Sequence, residues 1–148
     1  MKLYIANKLI ALGWWIRNDK HWGLKFNHGV EIGARLAYLG HYKVTGNKKI
    51  LAIANEELKH REFLEKTLRT RLSNTNKSID MMFTIIGTMI QKLCYISPKW
   101  SLNLIARVLE MVAVISYTKL ATKYPDIEQK LLQMANNEAE HERYFKTL

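Results

Sequence analysis

The stretch Ala54-Asn55-Glu56-Glu57-Leu58-Lys59-His60-Arg61-Glu62-Phe63 returns eighty-one residues later as Ala135-Asn136-Asn137-Glu138-Ala139-Glu140-His141-Glu142-Arg143-Tyr144. Both copies read Ala-Asn-x-Glu-x-x-His, with an aromatic residue three places after the His. On a helix, positions i and i+3 share a face, so each copy aims one carboxylate and one imidazole the same way. The face around Glu57 and His60 is otherwise apolar, with Ile50, Ile53, Ala54, Leu64 and Leu68 at helical spacing. Around Glu138 and His141 the same stripe is built from Ile127, Leu131, Met134 and Phe145. Two polar groups in a core stripe cost on the order of a few kcal/mol unless satisfied. A metal ion satisfies both.

Each pair has a lone Glu upstream. Helical periodicity predicts a first helix over about 27–44, capped by Asn27 and ended at Thr45-Gly46-Asn47. Its inner stripe is Glu31, Ala34, Tyr38 and His41, and Glu31 is its only acid. The second predicted helix, about 48–72, carries Glu57 and His60. A third, about 99–123, carries Ala106, Glu110, Ala113, Val114 and Tyr117 on one face, with Glu110 again the only acid. Tyr124-Pro125-Asp126 is the turn into a fourth, which holds Glu138 and His141. Each lone Glu lies about 14 residues before its turn, and each Glu–His pair about 10–12 residues after it. The two legs therefore differ by roughly 3–6 Å, and each hairpin brings its ligands to similar depth. Glu56 and Glu140 are one residue off the pattern and face elsewhere.

The chain is 148 residues long, enough for one domain with a real core. Gly and Pro are scarce, which favours an all-helical fold. The single cysteine, Cys94, rules out an intramolecular disulfide and a thiolate cluster, and a reducing, intracellular setting is expected. The formal net charge is +10. If four of the 13 acidic residues serve a buried site, nine face 23 basic ones on the surface. Such a surface suits anionic lipid or an acidic partner. Nucleic acid is not expected, because the basic residues are spread and no recognition motif appears.

Residues 1–26 mix Leu, Ile and three Trp with Lys, and read as an amphipathic segment that straps the bundle or lies on a membrane surface. Lys8 and the bulky Trp14-Trp15 pair argue against a secretory leader, and no run of about 18 apolar residues spans a bilayer. After the polar connector at 73–78 comes an apolar helix over about 79–96, containing Met81, Met82, Phe83, Ile85, Ile86, Met89, Ile90 and Leu93. It is either a buried crossover helix or an exposed one, lying in a lipid surface or lining a substrate mouth.

The fold expected is all-α: a ferritin-like four-helix bundle of two hairpins, with a long crossover at 73–98 that contains the extra apolar helix. Residues 27–148 form this domain. The six candidate ligands are Glu31, Glu57, His60, Glu110, Glu138 and His141. Oxygen and imidazole donors suit iron, with manganese as the second choice, and four carboxylates balance two divalent ions.

Asn27-His28-Gly29-Val30-Glu31-Ile32-Gly33-Ala34 followed by Tyr38-Leu39-Gly40-His41 resembles the first motif of the demethoxyubiquinone hydroxylases, Asp-His-Ala-Gly-Glu-x-Gly-Ala and then Tyr-x-Gly-Gln. The apolar helix followed by Val108-Leu109-Glu110 resembles that family's interfacial helix leading to Ala-Val-Glu, and Tyr117 matches the Tyr seven places on. The likeness covers about residues 26–148 and all six ligand positions. Ser116 stands where the family has His, His41 where it has Gln, Asn136-Asn137 where it has Arg-Asp, and Gly29-Val30 where it has Ala-Gly.

The resemblance implies a di-iron monooxygenase that uses dioxygen and an electron donor to hydroxylate a lipophilic quinone-like ring, peripheral to the inner or cytoplasmic membrane. It also implies bridging roles for Glu57 and Glu138 and terminal roles for Glu31 and Glu110. Tyr117 and Tyr38 are candidates to relay electrons or hydrogen-bond near the metals, and His41 to orient a ligand. His28 is placed either beside the ligands or on the surface at a helix start. A homodimer is compatible with the apolar helix. The other readings are a soluble rubrerythrin-like peroxidase, ferroxidase or iron-handling protein, and a non-enzymatic binding module.

Overall fold

The structure is a computed structural model that describes residues 19–148. The described residues form five α-helices and no strand. They are α1 (Trp22–Thr45), α2 (Lys48–Thr70), α3 (Lys77–Leu93), α4 (Lys99–Lys123) and α5 (Glu128–Thr147), with a 3-10 turn at Pro125–Ile127 before α5. They fall into two compact units. One is Leu24–Leu102, and the other joins Asn103–Leu148 to residues 19–23.

Helix α1 begins five residues earlier than the Asn27 cap predicts. The His21 amide donates to Asp19 Oδ1 and the Trp22 amide to the Asp19 carbonyl, so Asp19 supplies the start and Asn27 is buried inside the helix. Most of the N-terminal segment read over 1–26 lies outside the described residues. Its last five positions are the opening of α1, with no break at residue 26. The turn to α2 is as expected: Gly46 has φ +68°, where a side chain would be strained, and Asn47 caps α2 by accepting from the Lys49 amide. Helix α2 ends two residues early, and Leu72 takes φ 53° while the Ser73 amide closes on the Leu68 carbonyl.

Helix α3 starts at an Asn76 cap that accepts from the Ser78 and Ile79 amides. It lies against α1 at glycines. A methyl group on Gly87 would stand 2.6 Å from the Gly33 carbonyl oxygen, and one on Gly40 would stand 2.7 Å from the Gln91 Cα. Side chains are thus excluded where the two backbones meet, and Phe83 fills the space beside Gly29 and Gly33. Only Ile79 and Gly87 of α3 are buried, so among the described residues α3 is not a buried crossover helix. Met81, Ile85 and Met89 are all more than half exposed, and Met82, Ile86 and Leu93 nearly so. No helix among the described residues is long and apolar enough to cross a membrane.

Candidate metal centre

In the unit spanning Leu24–Leu102, Glu31 of α1 meets Glu57 and His60 of α2. All three are buried, and each offers one ligand atom within 4.8 Å of the others. The apolar stripe of α2 turns Glu57 inward together with Ile53, Ala54 and Leu64, as the periodicity requires. His60 Nδ1 stands 3.5 Å from Glu57 Oε2.

The second unit repeats this arrangement. Glu110 of α4 meets Glu138 and His141 of α5, again buried and again within 4.8 Å of one another. His141 Nδ1 lies 3.2 Å from Glu138 Oε2 and 3.7 Å from Glu110 Oε1. The same ring atom therefore faces the carboxylates in both triads. The near-misses stay out of them: Glu56 is half-buried, and Glu140 is exposed and 3.9 Å from Arg143.

Each triad places two carboxylates, neither more than 2% exposed, close together out of water. Burial and like charge both oppose their ionisation, so the anionic pair needs a compensating cation. A cation at Nδ1 and the carboxylate oxygens meets hard oxygen donors and one imidazole. The buried Glu–His clusters can thus hold a metal ion.

The surrounding residues divide. Tyr38 and Tyr117 are buried, as their stripes predict. His41 is buried but belongs to neither triad. Burial, and then the charge of Lys99, push its imidazole below the ordinary range, which keeps it neutral. His28 is not the surface residue of a helix start, because the helix begins earlier. It is buried, with Nδ1 2.9 Å from Asp80 Oδ1 on α3. This pair, 52 residues apart in sequence, has no local signal. Ser116 is buried with no hydrogen-bond partner for its hydroxyl. Cys94 is buried near the Ala37 carbonyl, and burial raises its thiol pKa.

Comparison of the chain with protein-family models, with curated proteins and with solved structures found no match.

Proposed function

We propose that each triad holds one iron ion, that the fold is a ferritin-like bundle, and that the protein is a di-iron monooxygenase acting on a lipophilic quinone-like ring at a membrane surface. One observation carries the metal part: four carboxylates and two imidazoles, all buried, are sorted into two equivalent triads on two equivalent hairpins. Four carboxylates neutralise two ferrous ions, whereas two would leave the centre cationic in a medium of low dielectric. When bound, iron supplies the dioxygen and electron-transfer chemistry that side chains lack.

The protein's own part is to hold, dry and orient. Glu31, Glu57, Glu110 and Glu138 would hold the iron through their carboxylate oxygens, and His60 and His141 through a ring nitrogen. Tyr38 and Tyr117 are buried on α1 and α4, the helices that carry Glu31 and Glu110. The hydroxylation would take one oxygen atom of dioxygen into the ring and the other into water, consuming two electrons from a donor and two protons.

The exposed apolar side of α3 supports a lipid surface and a lipophilic substrate. Met81, Ile85, Met89 and Leu93 lie on it, with Lys77 and Lys92 at its ends, and a net charge of +10 favours anionic lipid. A soluble peroxidase, ferroxidase or iron-handling protein has no use for such a side unless a second copy covers it.

The test is flotation with anionic phospholipid vesicles, followed by turnover of a quinone bearing a free ring position, with ferrous iron, a reductant and labelled dioxygen. Co-flotation and one labelled oxygen atom in the ring are expected. No flotation, together with consumption of hydrogen peroxide and no ring product, favours the soluble peroxidase.

A further inference from the structure

The seam between α4 and α5 carries a second feature, distinct from the triad on the same helices. It opens into a groove of about 450 Å³, within the range of small-molecule sites. Its floor is apolar: Met111, Val114 and Ile115 from α4 and Ala139 from α5, all only half-buried. Its rim is charged. Arg107 Nε donates to Glu142 Oε1 at 3.0 Å, which fixes the guanidinium while its Nη groups take no part in that bond. Arg143 is 69% exposed, and the Glu140 carboxylate, 3.9 Å away, is 71% exposed. Such a pair is weak and yields readily to a better acceptor. The rim over this greasy floor thus carries one guanidinium held tightly by Glu142 and a second, on Arg143, held only loosely by Glu140.

We propose that this groove binds a free lipophilic carboxylate, meaning one apolar chain or ring system ending in a single carboxyl group. The apolar body lies along Met111, Val114, Ile115 and Ala139. The carboxylate takes paired N–H donors from Arg143, with Arg107 beside it; a guanidinium matches a carboxylate in geometry as well as charge. The basic chain raises the local concentration of any anion. The site does not depend on metal in the triads.

The experiment is titration calorimetry with decanoate, decanol and decyltrimethylammonium, each below its micelle concentration, on the full chain with and without added iron. Decanoate is expected to bind at least about fivefold more tightly than the other two. Arg143→Gln should weaken decanoate about three- to fivefold and leave decanol unchanged. Ala139→Phe, which fills the floor, should weaken both ligands. If that variant unfolds, crosslinking with a diazirine-bearing fatty acid replaces it, and label on the segment Met111–Ile115 is expected. Equal affinity for the three head groups overturns the proposal, as does an Arg143→Gln variant that binds decanoate normally. Label confined to α3, or self-association through the groove without decanoate binding, overturns it too.

Discussion

Glu31, Glu57, Glu110 and Glu138 are at most 2% exposed, whereas Met81, Ile85 and Met89 on α3 are 53–62% exposed. Water would have it the other way round: carboxylates out and thioethers in. The two regions depart from that rule by different routes. The carboxylates sit on helices whose buried positions are mostly apolar, so they are carried inside by their neighbours. Helix α3 meets α1 where Gly33 and Gly87 let the backbones approach, and the larger apolar residues are left on its other side. A charged interior calls for a cation, and a greasy exterior calls for another apolar surface.

Removing a ligand should break the first half of this contrast with the largest effect. Glu138→Gln is expected to weaken iron binding by more than about 100-fold, read by anaerobic titration. The same change should raise the stability of the metal-free protein by about 1–2 kcal/mol, because it relieves one of two crowded buried carboxylates. A merely structural polar cluster would lose stability instead.

The next effect concerns how α3 is held. Gly87→Leu puts a side chain against the Gly33 backbone and should destabilise the fold by about 3 kcal/mol in urea unfolding. Replacing Met81, Ile85 and Met89 together by Gln touches only exposed positions. Stability should change by less than about 0.5 kcal/mol per site, while vesicle binding falls about tenfold or more. If vesicle binding survives, the exposed side serves something other than lipid.

The smallest effect is from His41. Its folded-state pKa lies below the ordinary value of 6.5, so on acidification the unfolded chain takes up the proton first. Its contribution is complete above pH 6.5 and is lost as pH falls towards the folded-state value. His41→Gln should flatten the dependence of stability on pH in that window by under about 1 kcal/mol, read by thermal melts from pH 7 to 5.

The triad residues were legible because each is a polar group inside a mostly apolar stripe, and because Glu57–His60 and Glu138–His141 repeat. Helix existence followed from the same periodicity, and Gly46 and Pro125 marked turns correctly. The start of α1 was misplaced at Asn27: the helix runs back to Trp22, behind a turn at Asp19, and Asn27 is buried within it. Exposure of α3 was not legible. Its sequence is apolar nearly all round, and which side is covered depends on the close approach of Gly87 to Gly33 from a distant helix. The His28–Asp80 pair and the Arg107–Glu142 rim join residues far apart in sequence, and nothing local marks them.

The central claim is that the two triads are a metal site. The most direct measurement is the iron content of the full chain after anaerobic reconstitution with ferrous iron and removal of excess metal, read by elemental mass spectrometry. Two iron ions per chain are expected, and fewer than one would contradict the claim.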